Sequence, residues 1–378
     1  MNSVKMDWLI VGAGFTGCVL AERIATQLNQ KVLLVDQRHH IGGNSYDIHD
    51  EKGILIHQYG PHIFHTNAQH VWDYLSQFTT WRYYHHRVLA VVDGKQVPVP
   101  FNFNSLYTLF PVKYADKLAK KLVEKYGMGV KVPILKIRET EHNGDLKFLA
   151  DFIYERVFHH YTQKQWGLKP EELGASVTGR VPIYLSHDDR YFQDRYQGMP
   201  AHGYTALINR LLAHPNIKVL LNTQYQEIAE AIKYKKMVYT GQIDEFFEYM
   251  HGELPYRSLH FNFIHTEQDY YQSVATVNYP NDFDFTRITE FKHLTGQKAY
   301  GSTYAVEYPQ VHVKGETIPY YPIPKEEHRT LYQQYKEEAE KMKGKVIFAG
   351  RLGDYQYYNM DQAVARALHL FEKDIVNA

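Results

Sequence analysis

The sequence predicts an α/β fold in which both ends of the chain build one Rossmann-like nucleotide-binding domain, with a helical domain and an antiparallel β-sheet domain inserted between them. Three observations support this fold class. The first 36 residues read as strand, glycine turn, helix, strand and acidic residue. The chain ends in another apolar strand followed by a helix. Between these ends, helical apolar spacing gives way to short extended segments bounded by turn residues.

The opening segment carries a dinucleotide-binding fingerprint. Gly12, Gly14 and Gly17 fit G-x-G-x-x-G. In this pattern the first glycine allows a tight turn, the second lets the backbone approach a pyrophosphate, and the third lets helix and strand pack closely. Asp36 ends the second apolar run, where a carboxylate accepts hydrogen bonds from ribose hydroxyls. The alternative explanation is a glycine-rich turn in an ordinary α/β protein.

The composition excludes several classes of protein. Lysine plus arginine and aspartate plus glutamate number 42 each, so bulk charge gives no support for binding to nucleic acid or to an anionic membrane. Cys18 is the only cysteine, so no internal disulfide can form, which suits a reducing cytoplasm. We interpret Cys18, inside the first predicted helix, as a core residue and not as a nucleophile. We expect neither a signal peptide nor a membrane span, since no suitable apolar stretch occurs.

The middle of the chain divides by its apolar periodicity. Residues 114–126 and 146–161 have helical spacing, and residues 168–180 read as a loop. Asp93 and Gly94, between two alternating runs, predict a β-hairpin. Short extended segments then predict an antiparallel sheet, at residues 260–264, 273–277, 287–290 and 303–308.

These patterns predict three domains. The nucleotide-binding domain comprises residues 1–82, 200–243 and 344–378; the helical domain comprises 104–180, with a mobile loop at about 167–180; the sheet domain comprises 83–103, 181–199 and 244–343. The last apolar strand is predicted to end in Gly350 and Arg351 and to precede a helix capped by Asp361. This end of the chain therefore adds a second phosphate-contacting unit, which suits a cofactor larger than a simple nicotinamide dinucleotide.

Seven segments spread over nearly the whole chain resemble, in the same order, UDP-galactopyranose mutases of the bacterial type. They are residues 41–44 (IGGN), 59–66 (YGPHIFHT), 161–167 (YTQKQWG), 194–198 (DRYQG), 253–259 (ELPYRSL), 319–322 (PYYP) and 350–352 (GRL). The resemblance implies an isomerase that interconverts UDP-galactopyranose and UDP-galactofuranose and holds FAD, active in its reduced form. It implies non-redox ring contraction, in which reduced flavin N5 attacks the anomeric carbon and displaces UDP. It further implies a cytoplasmic protein that supplies galactofuranose for cell-surface glycans, and we expect a homodimer.

The resemblance also assigns the substrate residues. Arg180, on the loop, and Arg287 would hold the diphosphate, because a planar guanidinium pairs with phosphate oxygens. The remaining assignments are Phe158, Tyr161 and Trp166 for the uridine, Tyr191, Tyr321 and Tyr357 for the diphosphate, and Asn278 for the sugar hydroxyls. The alternatives are a surface salt bridge for each arginine and a core position for each aromatic side chain.

Histidine and glycine positions complete the expected cofactor site. His62 would lie beside the flavin and act in catalysis, and His86 is a further candidate for the same pocket. The expected cofactor contacts are Gly12, Gly14, Phe15, Gly17, Asp36, Gln37, Gly43, Asn44, His62, Gly350, Arg351, Tyr357, Asn359 and Met360. Asn359 stands where the family commonly has aspartate, which puts an acid–base role at that position in doubt. His62 and His65 have no third ligand at suitable spacing, so we expect no metal.

Three other functions stay open on the residues alone. A true redox flavoenzyme, related to amine oxidases or desaturases, would share the glycine turn but would consume an electron acceptor with its substrate. A non-catalytic nucleotide-binding protein would bind UDP without turnover. A nicotinamide-dependent dehydrogenase would share the fingerprint and would not be yellow when purified.

Overall fold

The computed structural model describes residues 5–172 and 182–376, and the chain forms two compact units. Unit 1 comprises Met1–Tyr83, Asp194–Ser258 and His312–Ala378. Unit 2 comprises Tyr84–Gln193 and Leu259–Val311. The three-domain division remains a prediction.

The strands are numbered β1 to β19 in chain order. They are Lys5–Val11, Val32–Val35, Asp47–His49, Leu55–His57, Phe64–Thr66, Trp81–Tyr83, Val88–Val92, Lys95–Val99, Lys131–Pro133, Pro182–Tyr184, Tyr196–Pro200, Ile217–Leu220, Lys233–Tyr239, Tyr256–Thr266, Thr276–Asn278, Arg287–Glu290, Ser302–Val311, Tyr321–Pro322 and Val346–Phe348.

The α-helices are numbered α1 to α14. They are Phe15–Gln27, Gln69–Ser76, Phe103–Leu109, Val112–Tyr126, Ile134–Thr140, Gly144–Ile153, His160–Trp166, Tyr204–Leu211, Tyr225–Ile228, Ile243–Phe246, Phe291–Thr295, Glu326–Lys341, Gly350–Gly353 and Met360–Leu370. Short 3₁₀ turns lie at Gly43–Ser45 and Pro170–Glu172, and π-helical turns at Tyr154–His159 and Phe371–Ile375.

A parallel sheet forms the centre of unit 1, in the order β12-β2-β1-β13-β19. Strands β1 and β2 are largely buried, and apolar side chains occupy both of their faces, as expected for parallel strands covered on both sides. The strand that follows β1 in the chain, β2, lies on one side of it, and β13 lies on the other. Such a reversal in strand order opens a crevice at the carboxyl ends of the strands, where α/β proteins bind ligands.

Helix α1 connects β1 to β2 and is buried along most of its length. Cys18 is fully buried within it, which confirms the predicted core position, and burial raises the pKa of its thiol.

Unit 2 combines a mixed sheet with a helical layer. Its strands run in the order β14-β17-β16-β15-β7-β8. The predicted hairpin is confirmed, with Asp93 and Gly94 in left-handed conformations between β7 and β8. The antiparallel pairing predicted for the short extended segments is confirmed between β15 and β16 and between β16 and β17, while β15 also pairs in parallel with β7. Apolar side chains of the sheet and of helices α3 to α6 pack into one core.

Two details at the end of the chain differ from the sequence prediction. The last strand ends at Phe348, so Gly350 and Arg351 lie in a short helix and not at the end of a strand. The N-cap of helix α14 is Asn359, while Asp361 lies in its first turn. In residues 5–172 and 182–376, no helix is long and apolar enough to cross a membrane.

Candidate dinucleotide and substrate sites

A cleft in unit 1 lies at the carboxyl ends of the parallel strands. Most of the predicted cofactor contacts line it, namely Gly12, Gly14, Phe15, Asp36, Gln37, Gly43, Asn44, His62, Gly350, Arg351, Asn359 and Met360. The other two, Gly17 and Tyr357, are not among the described residues that line it. The fingerprint, the paired glycines and the C-terminal segment therefore converge on one site.

The three fingerprint glycines meet different surroundings. Gly12 has φ +103°, and a Cβ there would lie 2.0 Å from Thr240 Oγ1. A Cβ at Gly17 would lie 2.0 Å from the Gly12 carbonyl oxygen, so this glycine permits the close contact of helix and turn. A Cβ at Gly14 would meet no described atom within 4 Å and would extend into open space. This space beside an N-terminal helix turn fits a cofactor pyrophosphate.

The second pair of glycines packs against the fingerprint turn. Gly42 and Gly43 both have positive φ values, and the Gly42 N–H donates to the Ala13 carbonyl over 2.7 Å. A Cβ at Gly43 would lie 2.9 Å from the Gly14 Cα, too close for any other residue type without movement. The two turns thus form one continuous backbone wall of the cleft.

Asp36 is held in place by backbone donors. Its Oδ2 accepts from the Ala13 N–H at 2.7 Å, and its Oδ1 accepts from the Arg38 N–H at 2.9 Å. Each carboxylate oxygen keeps capacity for a further hydrogen bond, which suits recognition of ribose hydroxyls. Arg38 donates through Nη1 to Asn44 Oδ1 at 2.9 Å, and its guanidinium lies 4.8 Å from the centre of the Tyr59 ring.

His62 lines the cleft with a defined ring orientation. Its Nδ1 lies 2.9 Å from the Gly60 carbonyl oxygen, so Nδ1 is the donor and a neutral ring carries its lone pair on Nε2. The His62 backbone N–H donates to His57 Nδ1 over 3.0 Å. Burial lowers the pKa of His57 to about 4, which keeps this acceptor neutral.

The C-terminal segment completes the wall. Arg351 donates to the carbonyl oxygens of Tyr320, at 3.1 Å, and Tyr358, at 2.8 Å, which fix its guanidinium at the cleft. Asn359 caps helix α14, and its N–H donates to Gln362 Oε1 over 2.9 Å. Asn359 thus caps the helix N-terminus that borders the cleft.

Several lining residues were not predicted. They are Val11, Thr16, Arg38, Ser45, residues 223–226, residues 239–241, Glu245, Pro319, Tyr320, Leu352 and Ala363. Part of this set follows the carboxyl ends of β12, β13 and β19 or precedes β18. Part of this set could have been predicted from the ends of two predicted strands. Residues that directly follow parallel strands meet at the same edge of a sheet. Burial and the neighbouring charge of Asp244 raise the pKa of Glu245.

Two of the predicted diphosphate tyrosines lie in unit 1. Tyr321 and Tyr357 contact each other, with ring centres 5.2 Å apart and planes at 62°. Tyr321 is buried, and Tyr357 is half-buried. The Arg351 guanidinium lies over the Tyr357 ring, 5.9 Å from the ring centre. Their hydroxyl roles remain predictions.

In unit 2, the sheet aligns Asn278 and Arg287 as cross-strand neighbours. The next strand places Glu307 opposite Arg287, whose Nε and Nη2 donate to Glu307 Oε2 at 2.8 and 2.7 Å. Glu307 is almost fully buried and also accepts from the Thr286 hydroxyl at 3.2 Å. The Asn278 amide oxygen has no hydrogen-bond partner among the described residues. Sequence reasoning missed Glu307, which orients one side of the Arg287 guanidinium.

The predicted uridine residues lie along one helical segment of unit 2. Trp166 is buried at the end of α7, and Phe158 belongs to the apolar core, while Tyr161 is half-buried. Lys164 donates to the Tyr279 carbonyl over 2.9 Å, which ties α7 to the residue after β15. Contact of these aromatic side chains with uridine remains a prediction.

Three further residues stand apart from these groups. The Tyr191 N–H donates to the His86 carbonyl over 2.8 Å, and the two rings are 5.8 Å apart. His86 is a buried residue of unit 2 and is not among the described residues that line the cleft. Arg180 lies outside the described residues.

Comparison with known proteins identifies two matching families. Residues 156–357 match the family described as UDP-galactopyranose mutase, and residues 10–78 match an NAD(P)-binding Rossmann-like domain. The second match covers the fingerprint, Asp36 and the paired glycines. The first covers the predicted substrate residues and ends at Tyr357.

Relatives extend over nearly the whole chain. A probable UDP-galactopyranose mutase from Klebsiella pneumoniae is 38% identical, over 95% of this chain and 92% of its own length. A dTDP-fucopyranose mutase from Escherichia coli is 35% identical, over 100% of this chain and 99% of its own. A crystal structure of a reduced UDP-galactopyranose mutase has the same fold, with a TM-score of 0.71 at 17% identity, over 99% of this chain and 96% of that one.

Proposed function

The chain belongs to the UDP-galactopyranose mutase family of isomerases, and we propose that it interconverts UDP-galactopyranose and UDP-galactofuranose. The observation that carries this proposal is the agreement between full-length similarity and the cleft of unit 1. The residues that the motifs assign to a dinucleotide line that cleft, and a Gly14 side chain would fill its open space.

The Rossmann-like fold and the family point to a flavin, and we propose FAD in its reduced form as the cofactor. Asp36 would accept hydrogen bonds from the ribose hydroxyls of the cofactor. The Gly14 turn and helix α1 would hold its pyrophosphate, and Arg351 and the N-terminus of α14 would line the remaining part of the cleft. When bound, the reduced flavin supplies N5 as the nucleophile that displaces UDP from the anomeric carbon. His62, with Nδ1–H committed to Gly60, would present Nε2 as a hydrogen-bond acceptor.

The protein itself must retain UDP while the sugar ring opens and closes, because UDP is rejoined to the product. Arg287 suits this task, since its planar fork pairs with phosphate oxygens and Glu307 holds the guanidinium from one side. Further contacts to the diphosphate are proposed for Arg180, Tyr191, Tyr321 and Tyr357. Contacts to the uridine are proposed for Phe158, Tyr161 and Trp166, and a contact to the sugar hydroxyls for Asn278. The supply of galactofuranose for cell-surface glycans, a cytoplasmic location and a homodimer belong to the same proposal.

A second candidate is the same ring contraction on dTDP-fucopyranose. The relative with that name is 35% identical over the full chain, against 38% for the mutase from Klebsiella pneumoniae. The two candidates share reaction class and cofactor and differ in the nucleotide base and in the substituents of the sugar.

The discriminating experiment is an anaerobic assay of the dithionite-reduced protein with each nucleotide sugar at equal concentration. Conversion to the furanose is followed by chromatography and by ¹H NMR. We expect UDP-galactopyranose to be converted at least about tenfold faster per unit concentration than dTDP-fucopyranose, a difference of about 1.4 kcal/mol in transition-state binding. The opposite ratio would establish the second candidate, and conversion of neither sugar would overturn the proposed function.

A further inference from the structure

Three polar side chains beside the predicted uridine residues take no part in the proposed function. They are Glu155, His159 and His160. A carboxylate oxygen of Glu155 and one ring nitrogen of each histidine all lie within 4.8 Å of one another. Glu155 and His160 are exposed and His159 is half-buried, so an ion from solvent can reach them.

The three side chains meet because the chain forms a π-helical turn at Tyr154–His159. An α-helix advances about 100° per residue, so the side chain five positions after Glu155 would point to another face. A π-turn closes its hydrogen bonds between residues five apart and accommodates one additional residue per turn. His159 and His160 therefore both lie one turn after Glu155, and π-turns of this kind are frequent at functional sites.

Neighbouring groups already orient these donors. His160 Nδ1 lies 2.9 Å from the Asn281 amide oxygen, and Asn281 is itself held by donating through Nδ2 to the Arg156 carbonyl over 2.8 Å. Histidines that bind metals usually donate their other ring N–H to such an oxygen, which fixes the tautomer. His159 Nδ1 lies 3.3 Å from Glu155 Oε2.

The His159 ring also contacts two neighbouring rings. It stacks on Tyr154 at 5.1 Å and on His160 at 4.9 Å between ring centres. The ring orientation of both histidines is therefore set by groups outside the cluster and by their mutual stacking, before any ion binds.

We propose that Glu155, His159 and His160 bind one divalent transition-metal ion of the Zn²⁺ type, with water as the fourth ligand. Two imidazoles and one carboxylate form an established zinc ligand set. Ligand atoms at about 2.0–2.1 Å from zinc lie about 3.3 Å apart in a tetrahedral site. His159 Nδ1 and Glu155 Oε2 already have this separation, and the other pairs must close by at most about 1.5 Å. The bound ion would brace the π-turn against the first turn of α7, the helix that carries Tyr161 and Trp166.

The test is Zn²⁺ binding to the full chain after chelator treatment, measured by competition with a chromophoric chelator. The test variants are Glu155→Gln, which keeps the shape and removes the charge, and His160→Gln. The matched control is His142→Ala, which removes another exposed histidine of unit 2. Asn281→Ala tests the orienting amide. Far-UV circular dichroism verifies that each variant is folded, which the exposure of the altered side chains favours.

The expected result is one Zn²⁺ ion bound by the wild type and by His142→Ala with equal affinity. Glu155→Gln and His160→Gln should each bind at least about tenfold more weakly, and Asn281→Ala about tenfold more weakly. X-ray absorption at the zinc edge should show two imidazoles. Zinc should also raise the midpoint of thermal unfolding of the wild type and not of His160→Gln, because it binds only the folded chain. Equal zinc affinity of wild type, Glu155→Gln and His160→Gln would overturn the proposal.

Discussion

Gly14 and Gly17 belong to one turn, yet their surroundings assign them different tasks. The backbone of Gly14 has φ −78°, which any residue adopts, and a side chain there would project into the cleft without touching described atoms. At Gly17 a Cβ would lie 2.0 Å from a backbone oxygen. The requirement for glycine therefore comes from the ligand at the first position and from the fold at the second.

This difference predicts opposite phenotypes for two small substitutions. Gly14→Ala should leave the unfolding free energy of the cofactor-free protein within about 0.5 kcal/mol of wild type and weaken FAD binding at least about tenfold. Gly17→Ala should lower the unfolding free energy by more than 2 kcal/mol, because backbone must move to relieve the overlap. Urea unfolding and flavin fluorescence titration measure the two quantities. If Gly14→Ala bound FAD with wild-type affinity, the open space beside Gly14 would not be part of the cofactor site.

Residue identities predicted most of the residues that converge on the cleft, because the fingerprint, the paired glycines and the Gly350-Arg351 segment are local patterns with a fixed geometric meaning. Glu307 could not be found in this way. Its relation to Arg287 depends on strand register, and the two residues are 20 positions apart in the chain. The Glu155 cluster was missed for another reason, since α-helical spacing separates residues that a π-turn brings together.

At the scale of elements, helix α8 is capped from a distant strand. Its own N-cap residue, Gly203, has no side chain, and Asp47 accepts from the N–H groups of Tyr204 at 2.6 Å and Thr205 at 2.8 Å. A Cβ at Gly203 would lie 2.5 Å from the Asp47 carboxylate. Burial raises the pKa of Asp47, and the hydrogen bonds from the helix N-terminus offset this effect only in part.

Removal of this cap should cost measurable stability. Asp47→Ala leaves two N–H groups at the helix N-terminus, those of the buried Tyr204 and the half-buried Thr205, without this acceptor. It should lower the unfolding free energy by about 2 kcal/mol. Asp47→Asn retains one acceptor oxygen and should lose about half as much. Urea unfolding at neutral pH compares both variants with wild type. Equal stability of Asp47→Ala and wild type would show that the helix terminus is satisfied in another way.

The periodicity of apolar residues predicted most helices and strands but did not predict where they end. The hairpin at Asp93 and Gly94 was predictable because its turn needs left-handed conformations that these residues tolerate. The end of the last strand was not, because Gly350 has a positive φ that turns the chain into a short helix. Asp361 was chosen as a helix cap by residue type alone, whereas Asn359 and Gln362 form the capping box.

At the scale of the whole molecule, the proposed site residues fall into both units. The dinucleotide cleft, His62, Tyr321 and Tyr357 belong to unit 1, and Arg287, Asn278, Tyr191 and the aromatic residues of the α7 segment belong to unit 2. The sequence indicated three domains because helical and extended periodicities alternate. In unit 2, side chains of α3 to α6 and of the sheet share one apolar core, a long-range packing that periodicity does not reveal.

The central claim is that this chain uses a reduced flavin for an isomerisation and not for oxidation or reduction of its substrate. The most direct measurement is an anaerobic assay with UDP-galactopyranose in which both product and reductant are quantified. We predict no turnover with the oxidised flavin, and many turnovers per flavin after a single stoichiometric reduction. Turnover by the oxidised protein, or consumption of one equivalent of reductant or oxygen for each product formed, would contradict it.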